Sequence, residues 1–350
     1  MITRLNDINL RPYNTFRIDA KCSQFIEYTS VDDIPAIAST LGPDMDFINL
    51  GGGSNMLFVS DYNGVVLHSK ILDIEMEHLG NGAVRIKAGS GVSMDELIER
   101  CATSGLWGLE NLSGIPGNVG ASAVQNVGAY GVEACDVIHT VECFDLQTNR
   151  FVKIPVGECG YGYRNSMFKN SENKRRFIIS AVEFDLSTIP TPKIGYGSLA
   201  EEFGNCSDGN LTPLQIRDVI IKVRNKKLPE VDEIGSAGSF FKNPVVDKSI
   251  FEHIREQACR ITGQNDVIVP HYDVSDGIKI PAAWLIDRCG LKGTVCGGAA
   301  VWDNQPLVIV NKTGNASAKD IVELENKIIE TVEATFGVTL HPEVEHIGII

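Results

Sequence analysis

Three stretches of the chain hold residues whose type and spacing could do chemistry. The first is Gly51-Gly52-Gly53-Ser54-Asn55, directly after the apolar run DFINL. Consecutive glycines let backbone N–H groups converge on an anion with no side chain in the way, and the Ser and Asn add donors. Alone, such a run is as readily a tight loop between strands. The second is Gly114-Ile115-Pro116-Gly117-Asn118-Val119-Gly120-Ala121-Ser122, continued by Gln125-Asn126-Val127-Gly128-Ala129-Tyr130-Gly131. Glycine at every third position allows backbone to approach a flat or phosphorylated ligand. Two separate loops of this kind suit a large ligand with a pyrophosphate. A long apolar Gly-rich stretch in a compact chain is more often functional than linker. The third is GSAGSFFKNP, where Ser239 stands between a glycine-softened turn and two phenylalanines. A lone Ser there is ordinarily a turn residue whose hydroxyl bonds nearby backbone.

Several familiar chemistries are absent. No G-x-G-x-x-G and no G-x-x-x-x-G-K-[ST] occurs, which disfavours a dinucleotide-binding fold of the ordinary type and a P-loop. No G-x-S-x-G occurs, so Ser239 is not a nucleophile on a strand-to-helix elbow. The seven His residues show no metal-ligand spacing, and no metal is expected.

Composition narrows the class. The 350 residues exceed one average domain, with 43% hydrophobic and 22% charged residues, an ordinary globular balance. The net charge of -14 excludes nucleic-acid binding through a general basic face, while a few local cations can still serve an anionic small molecule. Nine scattered Cys without a C-x-x-C argue for reduced thiols rather than zinc or a disulfide scaffold. No secretory leader is visible at MITRLNDINLRPYN and no apolar run would span a membrane. A cytoplasmic protein, with no nucleic-acid or membrane partner and acting as a monomer, is the expectation.

The elements that must position these stretches follow from patterning. FIEYT (25–29), DFINL (46–50) and GVVLHS (64–69) read as strands, with a short helix after Asp32 or Asp33 as cap and Gly42 as stop. AVRIKAG (83–89) is a strand, and Ser93-x-x-Glu96 is a capping box opening a helix that Gly105 ends. The 111–131 stretch is too rich in Gly for an ordinary helix. HTVECFDL (139–146), RFVKI (150–154) and RFIISAVEFDL (176–186) suit an antiparallel sheet. Thr212 opens a helix with Ile216, Val219, Ile220 and Val223 as its buried stripe, and a boundary falls near Lys227-Leu228-Pro229. A short helix is expected around AAWLIDRCG. A long one runs from about Ala318 to Phe336, capped by Ser317 and closed by Gly337. The tail VTLHPEVEHIGI reads as a strand returning to an earlier sheet. The class is α+β.

The two Gly-rich loops together carry a resemblance. The motifs NTF, GGGSN, IPGNVGASAVQNVGAYG, YGYRNSMFK, KLP, GSFFKNP and PEV stand in the order seen in the UDP-N-acetylenolpyruvoylglucosamine reductases, from Asn14 to Glu343. The chain resembles the longer form of that family, within the flavoprotein superfamily that includes vanillyl-alcohol oxidase. The resemblance implies a two-segment FAD-binding domain of that type plus a C-terminal α+β substrate-binding domain. The expected parts are 1–70 and 71–215 for FAD, 216–337 for substrate, and 338–350 as a strand returning to the active site. It implies NADPH-dependent reduction of UDP-N-acetylglucosamine enolpyruvate to UDP-N-acetylmuramate, a step in building the peptidoglycan precursor.

Site residues follow from the same resemblance. FAD would be cradled by Gly51, Gly52, Gly53, Ser54, Asn55, Ile115, Pro116, Gly117, Gly120, Ala121, Ser122, Asn126 and Gly128. Neither His nor Cys flanks GGGSN, so the flavin is expected to be unlinked. Hydride addition to the enol-ether carbon leaves negative charge on the neighbouring carbon and its carboxylate, which calls for a cation and a proton donor. Arg164 in YGYRNSMF would hold that carboxylate, since a guanidinium offers fixed bidentate donors. Glu343 in PEV would assist in stabilising the enol, and Ser239 would protonate the carbon. Tyr163, Tyr196, Lys227, Asn243, Tyr272 and Gln305 are the implied substrate contacts, Tyr272 as an aromatic lid over the diphosphate. Glu345 departs from the pattern, because many relatives carry a basic residue after the PEV motif.

Two other readings compete. One is a different flavoenzyme of the same fold, such as an oxidase, which would have no use for the Ser239 proton donor. The other is a flavin- or nucleotide-binding protein without catalysis, against which the presence of all three of Ser239, Arg164 and Glu343 argues.

Overall fold

The first third of the chain forms a four-stranded sheet in the order Ile2–Asn9, Lys21–Tyr28, Tyr62–Ser69, Phe47–Leu50, with the run Val65–Leu67 buried and Ile2–Asn9 an exposed edge. The last pair is parallel, with Phe47 opposite Val65 and Leu50 opposite His68. The computed structural model describes residues 1–42, 45–204, 211–230 and 233–349. Its chain divides into two units. One holds Met1–Ile8, Cys22–Gly52 and Asn63–Lys226; the other holds Asn9–Lys21, Gly53–Tyr62 and Lys227–Ile350.

The first unit adds a five-stranded antiparallel sheet to that four-stranded one. Its order is Arg150–Pro155, Ile138–Asp145, Phe177–Ser187, Ala83–Gly89, Ile74–Gly80. The helix Met94–Thr103 packs Leu97, Ile98 and Cys101 into the core under this sheet. Ser93 caps it, accepting from the Glu96 N–H as the S-x-x-E spacing predicts. The helix Pro213–Lys227 opens on a reciprocal box in which Thr212 and Gln215 each bond the other's N–H. Ile216, Ile220 and Val223 are buried as expected, whereas Val219 is only half-buried and Arg217 takes a buried place on the stripe. The early helix is Ile34–Ala38. Its approach is capped by Ser30, with Asp33 returning to the Ser30 N–H, rather than by Asp32 or Asp33. A hydroxyl one turn earlier reaches the first N–H groups, which leaves the Asp33 carboxylate to hold the N-terminal amine at 2.7 Å.

The second unit is built on an antiparallel sheet in the order Gly235–Ser239, Val308–Asn311, Ala299–Val301, Val295–Cys296. The helices Lys248–Thr262, Ala282–Arg288 and Ala318–Phe336 cover it, with Ile254, Leu285, Ile321, Leu324, Ile328 and Phe336 in one core. Ser317 and Asp320 form the capping box of the last helix and Gly337 ends it in the left-handed conformation. Within the tail only Glu345–Ile347 is a strand; it pairs in parallel with Met56–Phe58, the strand that follows GGGSN, in a two-stranded sheet of its own. A smaller sheet joins Val245–Val246, Gly277–Lys279 and Tyr272–Val274.

Several elements differ from the reading of the sequence, which names neither the strands Ile2–Asn9 and Ile74–Gly80 nor the helix Gly197–Phe203. Val119–Gln125 is helical despite its glycine, and Lys248–Thr262 is a helix that the reading passed over. Among the described residues the cysteines are free thiols, while Cys206 lies outside them. No described helix is long and apolar enough to cross a membrane.

Candidate functional site

In the first unit the two glycine loops meet. A Cβ on Gly52 would stand 3.0 Å from Gly117 Cα, and one on Gly51 3.0 Å from Ala121 Cβ. At that distance an added Cβ fits only if the facing loop gives by a few tenths of an ångström, so glycine is what lets the loops approach this closely without a shift. Gly120 lies inside a helix for the same reason, since its Cβ would fall 2.8 Å from Ser90 Cβ. The Gly120 N–H donates to the Ser90 carbonyl at 3.0 Å, and the hydroxyls of Ser69 and Ser90 are 2.7 Å apart. Asn118, which the sequence reading left without a role, precedes the helix and donates to the Gly91 carbonyl at 3.0 Å. Ile115 is half-buried and Pro116 exposed at the head of this loop.

Two of the expected cradle residues turn their side chains to the protein. The Ser122 hydroxyl donates to the Val119 carbonyl at 2.7 Å. Asn126 is fully buried in the left-handed conformation. It donates to Glu133 Oε2 at 2.8 Å and to the Gly162 carbonyl at 3.0 Å, and accepts from the Cys135 N–H. Asn126 therefore braces the turn that carries Arg164.

That turn is tight. Gly162 and Asn165 exchange backbone hydrogen bonds, and Arg164 takes a positive φ of 52° between them. A non-glycine residue in this region is strained by about 1–3 kcal/mol and persists where its surroundings over-determine it. Here they do. The Ser166 hydroxyl donates to the Val124 carbonyl at 2.6 Å, and Lys169 Nζ to Gln125 Oε1 at 2.5 Å, both on the Val119–Gln125 segment. Arg164 itself is half-buried, donates to the Gly128 carbonyl at 2.7 Å, and lies 5.4 Å from the Tyr163 ring centre. Gly128 is thus an Arg164 contact. Tyr196 packs beside Gly131, where an added Cβ would meet its ring at 3.4 Å.

The second unit brings together Gly53, Asn55, Ser239 and Glu343. Gly53 has φ +62°, and a Cβ there would collide with the Tyr13 carbonyl at 2.0 Å. Asn14 holds its own turn by donating to the Leu10 and Ile18 carbonyls. Thr15 then bonds the Gly53 carbonyl at 3.2 Å and accepts from the Ser236 N–H at 3.0 Å. Asn55 Nδ2 donates to the Glu343 carbonyl at 3.1 Å, and its own carbonyl accepts from the Glu345 N–H at 3.0 Å. Ser54 is half-buried beside it.

Ser239 ends its strand after a bulge at Gly238, which has φ +69°. The bulge turns Ser239 outward to an exposed position, while Phe240 and Phe241 on either side of the next peptide are fully buried. Phe240 accepts from the Glu343 N–H at 2.8 Å, and Phe241 bridges Pro342. Glu343 is half-buried. The sequence reading missed the support behind it: His346 Nε2 lies 2.8 Å from Glu325 Oε2 and the imidazole meets the Phe240 ring edge-on at 6.3 Å.

The remaining expected contacts are spread over the second unit. Asn243 accepts from the Ala282 N–H at 2.9 Å, which seats the helix Ala282–Arg288. Lys227 gives its carbonyl to Trp302 Nε1 at 3.1 Å. Gln305 lies in the turn before Val308–Asn311. Tyr272 is exposed on the small sheet, 5.9 Å from Lys279 Nζ.

Residues 23–154 match the FAD binding domain, and the paired glycine loops fit the requirement of such a cofactor for close backbone approach. The protein is an FAD-containing oxidoreductase of α+β architecture. Residues 229–347 match the C-terminal domain of UDP-N-acetylenolpyruvoylglucosamine reductase. The sequence is 45% identical over 338 residues to the UDP-N-acetylenolpyruvoylglucosamine reductase of Neisseria meningitidis serogroup B, covering 96% of this chain and 95% of that one. It is 40% identical to that of Bacteroides fragilis, with 97% and 98% covered. The chain belongs to the UDP-N-acetylenolpyruvoylglucosamine reductase family. The fold agrees with the crystal structure of UDP-N-acetylenolpyruvylglucosamine reductase from Thermus caldophilus. The TM-score is 0.67 over 99% of both chains, at 24% identity.

Proposed function

We propose that the protein reduces UDP-N-acetylglucosamine enolpyruvate to UDP-N-acetylmuramate with NADPH as reductant, acting in the cytoplasm as a monomer. The scattered thiols suit a reducing compartment. Unlinked FAD, when bound, supplies the hydride. Gly51, Gly52, Gly117, Gly120 and Ala121 would let backbone close on its pyrophosphate. Gly53, Ser54, Asn55, Ile115 and Pro116 would border it.

The observation that carries this reading is the hydrogen bond between the Phe240 carbonyl and the Glu343 N–H, 2.8 Å long. It holds the proton-donor candidate and the carboxylate candidate on neighbouring backbone segments. As the double bond is reduced, the carbon bearing the carboxylate becomes strongly basic. Ser239 Oγ then gives it a proton and is itself restored from solvent. A hydroxyl is a weak acid, and it serves only when the acceptor is this basic and the hydroxyl is fixed in place. The Arg164 guanidinium, fixed by Gly128, would balance the substrate carboxylate, with Glu343 assisting. Tyr163, Tyr196, Lys227, Asn243, Tyr272 and Gln305 would bind the rest of a substrate that carries a diphosphate.

An anaerobic two-step flavin spectrum tests this. NADPH should bleach the oxidised flavin band, and UDP-N-acetylglucosamine enolpyruvate should then restore it without oxygen. Bleaching without recovery would mean a different acceptor and would sink the substrate assignment.

A further inference from the structure

Both polar backbone groups of Gly114 are held by charged side chains. Its N–H donates to Asp95 Oδ1 at 2.5 Å, and its carbonyl accepts from Arg224 Nε at 3.2 Å. Gly114 has φ +72°, and a Cβ there would stand 2.7 Å from Ile221 Cδ1. Asp95 is itself gripped by Arg217, which donates to its two carboxylate oxygens at 2.5 and 2.8 Å from a position only 8% exposed. Burial pushes the Asp95 carboxyl up, but the Arg217 bonds, the Gly114 N–H and the nearby guanidinium charges outweigh it and leave the group below its ordinary value. Asp95 is thus a carboxylate in place.

The residues beside Asp95 hold the other end of the same loop. The Met94 N–H donates to the Gly117 carbonyl at 3.0 Å, and Ser93 bridges Asn118. One turn at the start of the helix Met94–Thr103 therefore fixes Gly114 through a side chain and Gly117 through the backbone. Between them lie only Ile115 and Pro116, and Gly117 is the residue that Gly52 packs against. A shift at Gly114 has only Ile115 and Pro116 in which to be absorbed before it reaches the surface that faces Gly52.

We propose that Asp95 is a positioning residue for the cofactor: oriented by Arg217, it sets Gly114 and hence the course of the 114–117 loop on which FAD binding depends. This rests on the cradle described above. The bland alternative is a strut between two helices, in which Asp95 matters only as the partner of a buried guanidinium. The two differ in what happens when both charges are removed. A strut replaced by an apolar pair recovers everything that the single change lost. A positioning residue does not, because the Gly114 N–H stays without its acceptor.

The test is FAD release from the full-length holoenzyme on serial dilution, followed by the rise of flavin fluorescence, with melting temperature read in parallel. Asp95→Ala should weaken FAD binding by about 10- to 100-fold, a fraction of the span that a charge-assisted anchor can supply. Asp95→Ala combined with Arg217→Met should regain melting temperature but remain weak for FAD. Recovery of wild-type FAD affinity in the double variant would overturn the proposal. If that pair does not fold, the isosteric Asp95→Asn decides: a few-fold weaker binding is expected, and unchanged binding overturns it. A wild-type protein that holds no FAD would instead strike at the cradle.

Discussion

The N–H of Glu343 donates to the carbonyl of Phe240 at 2.8 Å. The chain runs antiparallel through this point, with the Lys242 N–H reaching the His341 carbonyl at 2.9 Å and Phe241 bridging Pro342. Residues distant in sequence thereby become neighbours, and Ser239 and Glu343 sit at successive places along the joint. Phe240 is what makes it rigid. Its buried ring packs on Phe16, Phe241 and His346, and full burial of such a ring contributes about 1.5–3 kcal/mol. The hydroxyl of Ser239 is exposed while its backbone is anchored, the combination a proton donor to a bound substrate requires.

Ser239→Ala separates the two halves of the proposed reaction. The position is exposed, so stability should stay within about 0.5 kcal/mol of the parent. Turnover should fall by about 100- to 10,000-fold, the usual share of general acid catalysis. Reduction of the flavin by NADPH, followed by stopped-flow absorbance, should proceed at the parent rate. Turnover that survives the substitution would remove Ser239 as the donor.

The pair behind the joint makes a second case. Glu325 is 6% exposed and faces His346, whose ring also supports Phe240. His346→Ala leaves a buried carboxylate without that partner, which costs about 1–3 kcal/mol. Glu325→Gln keeps an oxygen for the imidazole and should cost less. Urea unfolding of both variants checks the order. The reverse order would mean that the pair is not what holds the tail strand.

Much of this was legible in the sequence, and the exceptions have physical causes. Capped helices were the clearest: Ser93, Thr212 and Ser317 all bond where the spacing places them, because a cap is a local interaction. The helix at Val119–Gln125 was obscured because its glycine content reports a tertiary demand, the close pass of Ser90, and not a local preference. Lys248–Thr262 was passed over although its signals are local: Asp247 caps it, Phe251, Ile254 and Ala258 are buried, and Gly263 ends it. Of the site, the glycine loops and Ser239 could be picked out by motif. Asp95, Arg217 and His346 could not, since each looks like a surface charge until its partner from another part of the chain is in place. Asn126 stood out by motif, and its amide bonds Glu133, Gly162 and Cys135, partners that come from other parts of the chain and that no local pattern announces.

Acid stability should report on Asp145. This carboxylate is 2% exposed and accepts from Arg176 at 3.0 and 2.8 Å. The Arg176 bonds hold its pKa down to about 2, against a cost of burial that pushes it up. A carboxyl whose pKa is lower folded than unfolded binds more protons in the unfolded chain. Its stabilising contribution is therefore complete above the unfolded value of about 3.9 and is lost as pH falls toward about 2. Asp145→Asn removes the charge and should cost about 1.5–3 kcal/mol at pH 7, the range for hydrogen bonds to charged groups. The difference between the two proteins should shrink steadily between pH 4 and pH 2 in urea titrations, on the order of the window set by these values. A gap that stays constant across that range would show that the Asp145 proton is not linked to folding, and the Arg176 contact would then be one of packing alone.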